Sequence, residues 1–210
     1  MKQIPTMLLL TAAIFLTGFA ANDIRRDMVA LDNIYIAALA LTSQGKVEAS
    51  RKVVGALQED WQSFKNRHYN ANPHDAQWKQ DFDHVNSMVN DAVKIVVSER
   101  KVTDAHEALE HVREVLMKLR QRNGIDYFID RLTAFHEPME AIVLAAKDKT
   151  GDTLTDADIA LIRKRMPQAE QAWQRVAAAK LDASDYRLTP AQADDARELM
   201  TFGDFKPYST

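Results

Sequence analysis

The 210-residue chain contains no cysteine and only six glycines and six prolines. The absence of cysteine excludes disulfides, thiolate metal sites, cysteine nucleophiles, thioether-linked haem and a lipoprotein anchor. A many-stranded sheet needs many tight turns, in which glycine and proline are common. Because the chain has few of either residue, helices are favoured. The formal net charge of −3 shows no basic excess, so the sequence predicts no nucleic-acid partner.

Motifs for nucleophilic catalysis and phosphate binding are also missing. The chain has no Gly-x-Ser-x-Gly and no glycine-rich phosphate loop, so nothing supports a hydrolase or a nucleotide-binding protein. A hydrophobic fraction of 46% and a charged fraction of 27% are instead typical of a folded globular protein. We therefore expect a protein that is not an enzyme, with one domain or at most two small ones.

The N-terminal residues have the pattern of an export signal. Lys2 precedes an apolar run at 7–19, and Gly18-Phe19-Ala20 forms a cleavage motif. The run is shorter than the about 20 residues that a transmembrane helix needs. The sequence predicts a signal peptide at 1–20, cleavage after Ala20, and a mature protein in a bacterial periplasm with no membrane anchor.

The rest of the chain has the pattern of helices almost throughout. Apolar side chains recur at spacings of three and four, and no segment alternates with the period of a strand. Asn22 is expected to cap the first helix, Pro73 to start the third and Pro167 to interrupt the sixth, while Thr155 and Thr189 open the last two. The predicted helices cover about 22–43, 47–69, 73–98, 103–123, 125–147, 155 onward, and a short segment after 189.

An internal repeat with an offset of 55 residues predicts the architecture. It places Ala37 and Leu41 on Ala92 and Val96, and the apolar positions of the following helices match as well. Coincidence between two amphipathic hairpins is the alternative to true duplication. The predicted fold is all-α, with an up-and-down four-helix bundle of two helical hairpins at 21–123. A third C-terminal hairpin and a short helix at 124–210 extend it, packed with the bundle as one domain.

Two short segments carry a resemblance to a known family. The segment from Asp23 to Asp32 resembles the opening of the soluble periplasmic b-type cytochromes, which are four-helix bundles. The turn from Ala37 through Gly45-Lys46 to Ala49 resembles the last turn of that family. The similarity covers about the first half of the mature chain, and it implies a bundle, an exported location and a haem cofactor.

The resemblance implies one haem ligand and lacks the other. In the family, a methionine near the start of the first helix and a histidine near the end of the last helix hold the iron, and Met28 matches the methionine. Lys65 stands where the histidine is expected, and Arg120 stands there in the second repeat. His68 is three residues beyond Lys65 and fits only after a shift in register. Filling core space is the alternative role for Met28.

A polar cluster on the fourth helix is a candidate metal site. Glu107, Glu110, His111 and Glu114 lie on one helical face because their offsets are three, four and seven. Three carboxylates beside an imidazole could ligate a divalent metal such as iron, manganese or zinc. An acidic, solvated helix face is the alternative.

The fifth helix carries a second candidate site at Phe135-His136-Glu137-Pro138-Met139-Glu140. Pro138 frees the carbonyl of Ala134 and is expected to kink the helix. His136 and Met139 beside that carbonyl could bind haem or a metal, and His136 shares a face with Glu140. A histidine packed in the core and bonded to a neighbour is the alternative.

The loop between the fifth and sixth helices resembles a calcium-binding EF-hand loop. Asp148 and Asp152 occupy its early ligand positions, and Asp158 stands where an acidic residue closes the loop. The loop is one residue short and lacks the glycine of the sharp turn. Gly151 is alternatively a helix stop, and Thr155 a helix cap.

Three hypotheses of function follow. The first is an exported helical-bundle binding protein without catalytic activity, holding haem or a metal. The second is a protein-interaction or stress-related adaptor bundle that has no cofactor and presents a helical face to another exported protein. The third is a di-metal enzyme of the ferritin type, which is disfavoured because Glu107 and His111 are four residues apart, whereas that class uses a spacing of three.

Overall fold

The computed structural model describes the backbone of residues 7–98 and 102–202, and the side chains of 23–98 and 102–201. These residues form seven α-helices and no β-strand, so the predicted all-α class is confirmed. The chain divides into two compact units, the first ending at Ile125 and the second beginning at Asp126. The helices are α1 (Met7–Ser43), α2 (Val47–His68), α3 (Trp78–Val97), α4 (Val102–Arg122), α5 (Phe128–Ala146), α6 (Asp156–Ala177) and α7 (Pro190–Phe202).

The first unit is an up-and-down four-helix bundle, as the sequence predicts. α1 packs against α2 and α4, and α3 packs against the same two helices. Short connections between successive helices make neighbours antiparallel. Side-chain hydrogen bonds between α2 and α3 follow this register, from Gln58–Asn90 at 2.7 Å to Gln62–Asn86 at 2.5 Å.

Each helix of the bundle buries one stripe of side chains. The spacing alternates between four and three residues, which is the pattern of helices that interdigitate along a shared seam. Ring centroids of Trp61, Phe64 and Phe82 lie 5.6–5.7 Å apart toward the end of the bundle where α2 ends and α3 begins. The stripes are Ile24, Met28, Leu31, Tyr35, Ala38 and Thr42 of α1; Ser50, Val54, Leu57, Trp61, Phe64 and His68 of α2; Trp78, Phe82, Val85, Val89, Ala92 and Val96 of α3; and Val102, Ala105, Leu109, Val112, Leu116 and Leu119 of α4.

The stripes correct the predicted repeat in its first helix. α2 and α4 match at the predicted offset of 55, but the buried positions of α1 and α3 match at 54. Ala38 and Thr42, rather than Ala37 and Leu41, occupy the core positions of α1 that correspond to Ala92 and Val96 of α3. The chain from Val96 to Ala105 is one residue longer than that from Thr42 to Ser50, which accounts for the change.

Two of the bundle's helix ends close on left-handed glycines. Gly45 has φ of +65°, and the Lys46 N–H donates to the Leu41 carbonyl, as expected for the predicted stop. Gly124 has φ of +64°, and the Ile125 N–H donates to the Arg120 carbonyl. Because Ile125 closes α4 in this way, the prediction that it begins α5 is wrong.

Two predicted helix starts in the first unit are also wrong. α1 begins at Met7 and continues through Asn22, so that residue is not a cap. α3 begins at Trp78 instead of Pro73. The segment before α3 is held as a loop by Asp75, whose carboxylate accepts from Arg122 Nε at 2.9 Å, from Asn123 Nδ2 at 2.8 Å and from its own loop.

The second unit contains the antiparallel pair α5 and α6, with α7 against α6. Pro138 and Pro167 both lie inside continuous helices, so the predicted interruption of the sixth helix is wrong. Capping boxes open α6 at Thr155 and α7 at Thr189, as the sequence predicts. Within the described part of the chain, no helix combines the length and the apolar character needed to cross a membrane.

We predict that Asp75 makes the first unit sensitive to acid. Hydrogen bonds from Arg122 and Asn123 hold the pKa of its carboxyl at about 2, below the ordinary 3.8. A carboxyl whose pKa is lower in the folded protein than in the unfolded chain stabilises the fold at pH values above the unfolded-state pKa. This contribution is lost as the pH falls through the folded-state pKa. Urea unfolding from pH 5 to 2 should therefore show a smaller loss of free energy of unfolding in Asp75→Asn than in the wild type.

Arg122→Gln provides the matched control, because it removes the cation while the carboxylate remains. Arg122→Gln should likewise reduce the loss of free energy of unfolding between pH 5 and pH 2. Identical profiles for Asp75→Asn and the wild type would contradict the assignment.

Candidate functional site

The residue that resembles a haem ligand is packed inside the bundle. Met28 is 1% exposed, and Arg120, which is 3% exposed, donates from Nη1 to the Met28 sulfur at 3.6 Å. Arg120 is the residue that stands at the family's histidine position in the second repeat. The sulfur and the guanidinium are thus in direct contact, with no space between them for a porphyrin. These residues do not fit a haem.

His68, the other histidine considered for that role, is also engaged. The residue is 7% exposed, and its Nε2 lies 2.7 Å from an Asp27 carboxylate oxygen, which also accepts from Arg67 at 2.7 Å. The His68 carbonyl accepts from the Trp78 indole at 2.9 Å. Lys65 forms an ion pair with Asp83 at 2.7 Å. The end of the bundle is therefore held by charge pairs.

A small open cleft adjoins this pair between α1 and α2. Leu31 and Phe64 line it together with Asp27, Asp60 and Arg67. Its volume is about 130 Å³, whereas small-molecule sites commonly enclose about 300–1,000 Å³. The cleft is too small for a cofactor such as haem.

The predicted metal face of α4 points to solvent. His111 and Glu114 have side chains 66% and 52% exposed, with their closest atoms 4.0 Å apart, and Glu107 is exposed as well. Glu110 forms an ion pair with Arg113. In the part of the chain that the structure describes, no group of three histidine, aspartate or glutamate side chains could hold a metal. The structure therefore does not assemble this site.

A neighbouring set of polar residues, which the sequence analysis missed, lies against α1 instead. The His106 ring is 3.6 Å from Glu110, and the Tyr35 hydroxyl donates to the Leu109 carbonyl at 2.5 Å. Burial raises the pKa of Tyr35 far above its ordinary value, so it stays protonated. His106 Nδ1 and Arg113 Nε are buried without a hydrogen-bond partner among the described residues. The sequence signal that could have revealed this set is the position of Tyr35 among the regularly spaced residues that α1 buries.

The candidates on α5 lie partly exposed. His136 Nε2 is 3.6 Å from a Glu140 oxygen, with side chains 32% and 55% exposed. Met139 is half-buried and Pro138 is buried. The structure therefore brings together two of the predicted ligands, His136 and Glu140, on one turn of helix.

The loop resembling a calcium site is used for helix ends. Asp148 adopts φ of +58° where α5 ends, so it takes the left-handed position that the sequence analysis gave to Gly151. Asp158 accepts from the Thr155 N–H at 2.9 Å and from Lys149 at 2.7 Å, and these bonds hold its pKa at about 2. Asp152 is exposed. The closing carboxylate thus caps α6.

The second unit carries an apolar surface of the kind that a four-helix bundle buries between its helices. The residues that α5 and α6 bury are mostly small or polar, such as Thr133, Ala145, Ala169 and Ala172. The larger apolar side chains recur at spacings of three and four on each helix and stay half-buried. We call this set the hairpin face: Phe128, Leu132, Phe135, Met139 and Ile142 of α5, with Ile159, Ile162, Met166 and Trp173 of α6.

The two stripes of the hairpin face lie on the same side of the helix pair. The rings of Phe135 and Trp173 contact each other with centroids 5.0 Å apart. The Trp173 indole N–H is shielded from solvent and has no acceptor within the described part of the chain. A contiguous apolar surface is typical of a surface that a partner covers.

Comparison with known proteins identifies no relative. No protein-family model, curated protein or solved structure matches the chain.

We predict that Met28 does not ligate haem. Titration of the purified protein with haemin should give a visible spectrum that is the same in Met28→Leu as in the wild type, because Arg120 occupies the space beside the sulfur. A ligand band that appears in the wild type and disappears in Met28→Leu would contradict this.

We predict that Asp27 stabilises the bundle through its buried partner. Asp27→Ala leaves the His68 ring buried without its acceptor, which should cost about 1–3 kcal/mol in the free energy of unfolding. Arg67→Ala removes the other partner, whose side chain is 61% exposed, and should cost about 1 kcal/mol or less. Chemical denaturation measures both, and equal losses would contradict the assignment to His68.

Proposed function

We propose that the protein is an exported, non-catalytic interaction protein that binds a protein partner through the hairpin face. The observation that carries the proposal is the half-buried state of nine large apolar side chains on one side of α5 and α6. Burying such a surface against a partner gains roughly 25 cal/mol per Å² of apolar area. The hairpin face is therefore the binding surface that we assign to the second unit.

The first unit supports this role as a scaffold. Its stripes are filled by its own side chains, and its charged groups are paired with one another at Asp27–His68 and Asp75–Arg122. Such a unit supplies stability to the protein. Export is supported by Lys2, the apolar run at 7–19 and the motif ending at Ala20.

Metal binding is the second candidate, supported by His136 and Glu140 on one turn of α5. An imidazole and a carboxylate are two ligands of the three or four that a zinc or iron site needs. A partner chain would have to supply the others. This function therefore also depends on a contact made near the hairpin face.

The proposal is tested by the size of the protein in its own compartment. The wild type should fractionate with the periplasm, begin at Ala21 and elute as an assembly larger than one chain. Met139→Glu places a charge within the hairpin face and should shift the protein to the mass of a single chain. Gln171→Glu, on an exposed position of α6, is the matched control and should elute with the wild type. Equal elution of the wild type and Met139→Glu would overturn the proposal.

A further inference from the structure

We propose that the partner on the hairpin face is a second copy of this chain, with α6 antiparallel to α6 of the second copy. The inference rests on the proposed function and names its partner. The two hairpins would form a four-helix bundle across a two-fold axis near Met166. Closed two-fold pairing is the commonest symmetry among homo-oligomers.

The first unit shows how many neighbouring helices are needed to bury a stripe of this kind. There, four helices with the same alternation of four and three residues bury their central side chains almost completely, as at Phe82 and Leu109, both 0% exposed. α5 and α6 carry the same alternation, yet Phe135 and Met166 are only half-buried. Two helices cannot surround their own stripes, so two more helices of matching pattern are needed. A second hairpin supplies both.

The charged residues beside the stripe of α6 are complementary to the same residues of a second, antiparallel α6. Arg163 and Glu170 each lie three or four residues from members of the stripe at Ile159, Met166 and Trp173, so both border it. They are seven residues apart and lie on either side of Met166. When two α6 helices cross antiparallel at Met166, Arg163 of each copy lies opposite Glu170 of the other.

This pairing selects a second copy over an unrelated protein. Each two-fold contact contains two Arg163–Glu170 pairs, so one sequence provides both the cation and the anion. Like charges placed opposite each other disfavour an interface, and opposite charges set its register. The same two residues therefore specify both the partner and its direction.

The experiment is a charge exchange measured by sedimentation velocity of the mature protein at low ionic strength, where surface charges are least screened. The wild type should show a concentration-dependent dimer. Arg163→Glu and Glu170→Arg should each raise the dissociation constant about tenfold, because attraction becomes repulsion at both pairs. The double variant should return to the wild-type value, and a mixture of the two single variants should form a heterodimer.

Arg175→Glu is the matched control, since Arg175 is an exposed residue of α6 outside the hairpin face, and it should leave the dissociation constant unchanged. Circular dichroism verifies that each variant keeps its helices. A wild type that stays monomeric, or a dimer that the single exchanges do not weaken, would overturn the inference. If the purified wild type is monomeric but Met139→Glu still abolishes the larger assembly in the periplasm, the proposed function stands with a different partner. If Met139→Glu leaves that assembly unchanged, both proposals fail.

Discussion

The need to cover an apolar stripe on a helix determines the structure of both units. A helix buries a stripe only where neighbours surround it, and four antiparallel helices do this for one another in the first unit. Trp61 and Phe82 are 1% and 0% exposed there. Within the described part of the second unit, α5 and α6 have equivalent stripes, but each has only the other as a long neighbour. Their small buried residues, such as Ala169 and Ala172, let the helices pack while Phe135 and Trp173 stay half-buried.

Polar groups at the end of the bundle stabilise the same packing. Asp75 ties the loop before α3 to Arg122, and Asp27 holds the buried ring of His68. Arg120 reaches the Met28 sulfur within the core. Each of these charged groups thus has a structural partner, because a buried charge without one is costly. This is why residues that resemble ligands in the sequence take part in packing instead.

Much of the fold could be predicted because it depends on local pattern, whereas the site could not. Gly45 and the capping boxes at Thr155 and Thr189 act within a few residues, and they lie where the sequence analysis placed them. On α4 the sequence indicated a polar face that includes Glu107 and His111, which are exposed, but the half-buried set contains His106, the residue next to Glu107. A shift of one residue turns a side chain by about 100° around a helix, and only the position of α1 decides which set it covers.

The sequence by itself determined the helical class, the order of the helices and the polar or apolar character of each face. Those properties follow from periods of three and four residues and from caps that act locally. The tertiary structure alone decided that Met28 contacts Arg120, that Asp75 joins a loop and that the α5–α6 stripes remain half-buried. The physical reason is that these properties depend on which distant side chain occupies the adjoining space, and no local spacing contains that information.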